Sequence, residues 1–440
     1  MTATLISESA FRRIADQVLR NSKAEHTYVS LGDSQSTTLR YANNQVVQHV
    51  SVREPRLTVE VAFGQKKGTA RTNRLDEASL RDVLAQAERI ARLAPDDPEY
   101  LPPLPQQNYL NPPSFRDATA SATPMDLARR TKPVIAQCEK ESLTAAGIFT
   151  SGLACRGVAA SSGLFGYEQS TEAEFSLTAS AADSSGWAII GHRDIDALDV
   201  PMWSRRAIDK AVKSKAPQEL PPGHYPVILE PAAVAGIIGP IFFSAGAKSF
   251  YRGNSPFVGK LNTKILDERI TIRTDPTHPD LLGSRFDREG MATKPMVWVD
   301  KGVLKQLYYD RFTAKEHNVE PTPFPSAGIM EVAGQQRKSI DELIADTKRA
   351  ILITNFWYIR DVDRKDLTLT GMTRDGTFLI EDGKIVGGVR NFRWHDSPLR
   401  CFTQVDAATI PMPAGSMERG KMLLPAVRLP DFHLSSVTEF

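Results

Sequence analysis

The stretch from residue 226 to 247 is the most apolar in the chain, and it constrains the fold more than any other feature. It is long enough to raise the question of a membrane span. It also carries Glu230, Pro231, Pro240 and three glycines, and the sequence holds no second span to partner it. It therefore reads as a buried strand, residues 225–229, running into a core helix. Pro231 suits the first position of that helix, where a missing N–H costs nothing. A strand and helix this apolar need a large core around them, and 440 residues can build one without disulfide or metal staples.

The rest of the chain predicts an α+β protein of two domains. Helical spacing of Phe11, Ile14, Val18 and Leu19 predicts a helix over 7–21, and similar stripes predict helices over 75–93, 124–138 and 201–213. Strand-like runs cover 27–31, 37–41, 46–52, 57–63 and 69–72, with Asn43-Asn44 and Gly64 to Gly68 as turns. Residues 143–177 read as several strands broken by Gly147, Gly152, Gly157 and Gly163. The proline-rich segment 94–113 reads as a surface loop or linker. Prolines 217, 221 and 222 place the domain boundary near residue 218, giving an N-terminal α/β domain (1–218) and a strand-rich, largely antiparallel C-terminal domain (219–440). In the second domain strands are expected over 296–300, 303–309, 351–359, 377–381 and 384–389, and a short helix over 340–348. Asp382-Gly383 is among the strongest hairpin signals in the chain.

Composition narrows function. A net charge of +2, with no block of like charges, argues against direct nucleic-acid binding, which draws on clustered positive charge. Residues 1–20 carry three arginines and lack the apolar core of a secretory signal, so the expectation is a cytoplasmic protein with no membrane segment. Cys138, Cys155 and Cys401 show no C-x-x-C spacing and read as buried free thiols in a reducing compartment.

No motif for metal, nucleophile or phosphate chemistry stands out. Zinc sites draw on clustered ligands, and no two of the eight histidines lie within ten residues of each other. The serine turn G-x-S-x-G and the Rossmann glycine pattern are absent, and Ala247 interrupts the only run resembling a P-loop, so Gly246 reads as a helix C-cap. The most suggestive carboxylates are Asp287 and Glu289, beside Arg285. On an extended segment the two acids would face one side and could meet a peptide or partner amine. The plainer reading, which we favour, is a turn whose carboxylates hold backbone N–H groups and neighbouring arginines. The aromatics Tyr308, Tyr309, Phe312, Phe356, Trp357, Tyr358, Phe392 and Trp394 read chiefly as core.

Several runs in the second half, in order, resemble the TldD/PmbA family. Residues 225–235 resemble its strand-into-helix opening. Thr274-Asp275-Pro276, with residues 284–290 after it, resembles its "DDP … fDdEG" signature. Lys301-Gly302-Val303-Leu304, then Asp310, Arg311 and Ala314, resemble its "GvL … dr..A" stretch. Residues 378–385 resemble its "f.IEnGki" hairpin, Asn391 and residues 399–402 the segment after it, and residues 425–428 its closing strand. The N-terminal half agrees more loosely.

This resemblance implies a dimeric α+β fold and, in the TldD branch, a zinc metalloprotease. That branch carries H-E-x-x-x-H on the opening helix and a cysteine near the C-terminus; zinc activates water and the glutamate is the general base. Here the corresponding helix reads Ile238, Gly239, Pro240, Ile241, Phe242 and Phe243, and residues 225–277 hold no histidine or cysteine. The pattern resembles the TldE/PmbA branch, the ligand-free partner. The resemblance thus implies no catalytic or metal residue and no zinc in this chain. It implies a TldD-type catalytic subunit as heterodimer partner, and unfolded or precursor peptides as substrate. A self-associating homodimer, an independent hydrolase built around His278, Asp287 and Glu289, and a DNA gyrase modulator are the alternatives.

Overall fold

The computed structural model of the chain describes residues 5–414 and 422–438. The first part builds one sheet from β1 (His26–Ala42), β2 (Gln45–Phe63), β3 (Lys66–Thr72), β4 (Thr144–Ala160), β5 (Phe165–Ser180) and β6 (Ser185–His192). The order is β3-β2-β1-β4-β5-β6, antiparallel throughout. Asn43 and Asn44 sit at φ 50° and 60° and close β1 onto β2, since asparagine tolerates the left-handed region that a two-residue hairpin demands.

Among the described residues five α-helices accompany the sheet: α1 (Glu8–Asn21), α2 (Glu77–Leu93), α3 (Asp117–Ala120), α4 (Pro124–Lys140) and α5 (Val200–Lys213). Ser7 caps α1 by accepting from Ala10 N, and Thr123 with Asp126 forms a capping box on α4. Side chains alternate along a strand, so Val29, Leu31, Leu39 and Tyr41 all leave β1 on one face. α1 and α2 cover half of that face through Phe11, Val18, Leu80 and Val83, and α4 and α5 cover the other half through Leu127, Val134, Ala207 and Ile208.

The glycines of residues 143–177 behave differently from the sequence expectation. Only Gly163 lies in a turn; Gly147, Gly152 and Gly157 are inside β4. A Cβ at Gly157 would lie 2.5 Å from the Phe11 ring, so this glycine marks a close approach of helix to strand. The runs at 27–31 and 37–41 likewise merge into β1.

The second part adds β7 (Gly223–Leu229), α6 (Pro231–Ser244), α7 (Ala247–Tyr251), β8 (Ile270–Thr274), β9 (Met296–Asp300), β10 (Val303–Leu304), α8 (Arg311–Glu316), β11 (Gly328–Val332) and α9 (Ile340–Ala345). After these come β12 (Arg349–Asp363), β13 (Thr368–Glu381), β14 (Lys384–Gly388), β15 (Phe392–Asp396), α10 (Pro398–Cys401), β16 (Ala407–Ala408), β17 (Met412–Ala414), β18 (Met422–Leu424) and β19 (Val427–Val437). One sheet runs β10-β9-β8-β11-β18-β17 and the other β12-β7-β19-β15-β13-β14, with β16 on β19. Because β12 pairs with both β7 and β13, the latter sheet closes into a ring. The β12–β7 and β11–β18 pairings are parallel, and the other named-strand pairings among the described residues are antiparallel. The fold is α+β with a strand-rich, largely antiparallel C-terminal half, as expected.

α6 is buried at every position from Ala233 to Ile241. It packs against β7, β12, β17 and β18, which is what a helix apolar on all sides requires. No helix among the described residues is long and apolar enough to cross a membrane. Gly246 is not the cap of α6: the helix ends with Ala245 as C-cap, and Gly246, at φ −70°, precedes α7.

Two of the features that bind the halves together lie at the proline-rich segment and at Arg193. The proline-rich segment after α2 crosses onto the second half, where Ser114 Oγ donates to the Gly283 carbonyl at 3.1 Å. Arg193 is buried (1% exposed) and its guanidinium donates to the carbonyls of Pro113, His278 and Leu281, one from the first half and two from the second.

Candidate functional site

The loop at 284–291 joins the two halves through several side chains. Phe286 is fully buried. Its ring lies 5.3 Å from that of Tyr109 and 5.3 Å from the Arg156 guanidinium carbon. Glu168 of β5, also buried, accepts from Ser284 Oγ at 2.8 Å and from Arg285 N at 2.7 Å, and forms an ion pair with Arg156 at 3.2 Å. Arg285 donates to the Tyr167 and Leu110 carbonyls at 2.9 and 3.1 Å. Tyr28 Oη donates to the Arg288 carbonyl at 2.7 Å and Tyr109 Oη to that of Gly290 at 2.9 Å. The first half thus holds this loop by both side chain and backbone.

Within the loop the backbone turns and is not extended. Asp287 Oδ1 accepts from Glu289 N at 2.9 Å and Met291 N at 3.0 Å. Gly290 completes the turn at φ 79°, a conformation glycine adopts without steric cost. Burial raises the Asp287 carboxyl above the usual aspartate range, against the opposing pull of those two N–H groups, the backbone N–H of Phe324 and Arg156. Arg285 points back into the first half.

Glu289 points elsewhere, into a cleft of about 440 Å³ between the halves. The first half supplies His26, Tyr28, Glu60 and Tyr100; the second supplies Lys248, Arg288 and Arg311 beside Glu289. Glu289 pairs with Arg311 at 3.2 Å, and Arg311 also donates to the Pro102 carbonyl at 2.6 Å. Lys248 and Arg252 both reach Glu99 across the interface, Arg252 at 3.4 Å. Partial burial raises the Glu289 carboxyl and Arg311 opposes the rise. Half of the side chain stays exposed (49%), so water screens both effects. Burial pushes the phenol of Tyr100 up to about 12 and also raises that of Tyr28, both of which line the cleft. They stay neutral near pH 7 and can donate and accept hydrogen bonds. The cleft can therefore hold a polar, extended ligand with both charge signs and neutral hydroxyls.

Of Arg285, Asp287 and Glu289, only Glu289 lines the cleft; the other two hold the loop that carries it. His278 belongs to another turn, where Asp280 N donates to its Nδ1 at 3.2 Å and Arg193 takes its carbonyl. Glu168, Tyr28 and Tyr109 escape sequence reasoning, since most of their partners lie more than a hundred residues away, and Arg311 enters it only through the family resemblance.

A zinc ion does not fit the helix that opens the second half. Ile238 and Ile241 of α6 are buried in the core. A Cβ at Gly328 would lie 2.6 Å from Met422 and 3.3 Å from the Phe242 ring, so apolar atoms crowd the end of the helix. Among the described residues no group of three or more His, Cys, Asp or Glu side chains could hold a metal ion.

Two family models match this chain: the PmbA/TldA metallopeptidase C-terminal domain over residues 222–436, and the PmbA/TldA metallopeptidase domain 1 over residues 29–91. The chain belongs to the PmbA/TldD metallopeptidase family. It is similar to a metalloprotease of Methanothermobacter thermautotrophicus, 27% identical over 242 residues, 52% of this chain and 51% of that one. It is also similar to a metalloprotease PmbA homolog of Haemophilus influenzae, 25% identical over 280 residues, 60% of this chain and 61% of that one. The chain thus spans between half and two thirds of the length of these two relatives. In fold it matches the crystal structure of TldE from Thermococcus kodakarensis with a TM-score of 0.86 at 18% identity, covering 97% of this chain and 99% of that one.

Proposed function

We propose that this chain is a non-catalytic, TldE-like subunit of a two-component zinc metallopeptidase. In this reading it lends a peptide-binding wall to a catalytic TldD-type partner. The observation that carries the reading is the makeup of α6. At the position of the family's zinc motif it offers Ile238, Gly239, Pro240, Ile241, Phe242 and Phe243, and none of these side chains can ligate zinc. Without a metal-bound water the chain has no means of making a nucleophile for amide hydrolysis by the family's route.

The interdomain cleft supplies the remaining role. An unfolded peptide presents main-chain N–H and C=O groups and charges of either sign. Glu289, Arg311 and the neutral phenols suit such a ligand, and Glu289 is the residue we assign to it. Arg285 and Asp287 hold the loop that positions Glu289. The reading makes the protein intracellular, as a partner of a cytoplasmic peptidase.

The test is to mix the purified chain with a TldD-type subunit from the same source. Co-elution as one species, with peptidase activity confined to that species, is the expected result. Independent elution, with the TldD-type subunit equally active alone, would remove the basis for this reading.

A further inference from the structure

Strand register builds one wall of the interdomain cleft. Tyr28 of β1 stands directly opposite Glu60 of β2, and Glu60 opposite Thr69 of β3. The neighbouring pair, Val29 and Val59, packs in the core with α1 and α2. Alternation therefore turns Tyr28 and Glu60 to the other face of the sheet, where both line the cleft. Opposed Cβ atoms on one face lie about 4.5–5.5 Å apart. The Tyr28 hydroxyl crosses to the second half and donates to the Arg288 carbonyl at 2.7 Å. One phenol thus has Glu60 beside its base and Arg288 at its tip.

The charges that line the cleft are unequally matched. Arg311 pairs with Glu289 at 3.2 Å, Lys248 with Glu99, and Lys67 with Asp97 at 3.8 Å. Asp310 is occupied at the first turn of α8, where it accepts from Thr313 N at 2.9 Å and from Thr313 Oγ1 at 2.8 Å. Arg288 and Glu60 remain. Among the described residues neither meets an opposite charge within ion-pair distance, and Glu60 accepts from Thr69 Oγ1 at 3.3 Å. With three pairs, Asp310 and these two, the lining carries one more carboxylate than it does lysines and arginines. A ligand that brings negative charge alone meets net repulsion there, and a ligand that brings both signs does not. The Arg288 backbone is fixed by Tyr28 and by the turn around Asp287 and Gly290, while its side chain is exposed. An open guanidinium on a fixed loop can take a carboxylate with two parallel hydrogen bonds.

We propose that the cleft selects peptides of mixed charge: Arg288 takes a carboxylate, from an acidic side chain or a C-terminus, and Glu60 takes an ammonium or guanidinium a few residues along the same peptide. The inference rests on the reading of the cleft as a peptide site and adds the class of peptide that fits it. At about 3.3 Å per residue, an extended peptide brings groups about three residues apart to two anchors that flank one tyrosine. The hydroxyls of Tyr28 and Tyr100 serve the main chain between them. A dianion such as phosphate concentrates charge where the neighbouring acids repel it, so the monovalent carboxylate is the better fit.

The test is fluorescence anisotropy of short, end-blocked, dye-labelled peptides with the purified full-length chain. Both anchors belong to this chain, so binding does not wait on a partner subunit. A peptide with one aspartate and one lysine about three residues apart is expected to bind saturably. Asparagine in place of its aspartate, or glutamine in place of its lysine, should weaken binding about threefold to tenfold, since each removes one partly exposed ion pair. In Arg288→Gln the dependence on the aspartate disappears and that on the lysine stays; in Glu60→Gln the reverse holds. A misfolded variant would lose both dependences together. An unblocked C-terminus that restores the asparagine peptide assigns the terminal carboxylate to Arg288, and failure to restore it assigns the side chain. Saturable binding indifferent to peptide charge, or to both substitutions, would overturn this inference and leave the cleft a peptide site. No saturable binding at all would overturn the inference together with the peptide-binding role, while co-elution with a TldD-type subunit would still decide the pairing.

Discussion

Arg285 donates to the Tyr167 carbonyl at 2.9 Å, and the two residues belong to different halves of the molecule. Its Nε also donates to the more exposed Leu110 carbonyl, so this guanidinium holds two backbone oxygens of the first half, of which the Tyr167 carbonyl is the better shielded from water. Arg285→Ala leaves both without their partner. The expected cost is about 1.5–3 kcal/mol per charge-assisted bond at most. It is read as a lowered midpoint in urea, with Arg285→Lys restoring less than half.

Asp287 separates a structural carboxylate from a ligand-binding one. The Glu289 and Met291 N–H groups both go to its Oδ1, an atom that asparagine keeps. Asp287→Asn should leave stability near pH 7 unchanged or slightly raised, whereas Asp287→Ala should cost about 1–3 kcal/mol by orphaning the two donors.

The pH dependence has a definite sign. Burial raises the Asp287 carboxyl in the folded chain, so the folded state holds its proton more tightly than the unfolded state does. Such a group lowers stability as pH rises from its unfolded value, about 3.9, through its raised folded value. The advantage of Asp287→Asn over the unaltered protein should therefore be full at neutral pH and shrink as pH falls through that window. Parallel urea titrations at several pH values read it; an advantage that grows on acidification would contradict the cause assigned.

Arg193 meets only carbonyls, from both halves. Arg193→Leu should cost about 3 kcal/mol or more, because buried acceptors lose their donor. Lysine at 193 should recover little of this, since a point ammonium lacks the fork that spans several carbonyls. Limited proteolysis should then cut first in the proline-rich segment that Arg193 pins at Pro113.

Glu289 is the test of the cleft. It is half exposed, so Glu289→Gln should change stability by less than about 1 kcal/mol. In the mixed enzyme the same change should raise KM for a peptide several-fold and leave kcat nearly unaltered. Unchanged kinetics would remove Glu289 from peptide contact.

Much of the fold was legible because its local chemistry is strong. The stripes of α1, α2, α4 and α5, the Asn43-Asn44 and Asp382-Gly383 turns, and Pro231 at the start of α6 each state a short-range rule that packing then obeys. Gly157 misled because a glycine that admits the Phe11 ring looks in sequence like one that breaks a strand. The closed ring could not be read, since β7 pairs with β12 and β19 across more than a hundred residues. The candidate site was legible only in part for the same reason. The loop at 284–291 announces itself, but Glu168 and Tyr109 reach it from distant segments, and the segment that reads as a linker in fact fastens the two halves.

The most direct test of the central claim is the rate of casein hydrolysis by the purified chain in zinc-supplemented buffer, alone and after addition of a TldD-type subunit. The claim predicts no hydrolysis by the lone chain, even with zinc supplied, and activity in the mixture above that of the TldD-type subunit by itself. Zinc-dependent hydrolysis by the lone chain, abolished by chelation and restored by zinc, would show that it carries its own catalytic centre and would contradict the claim.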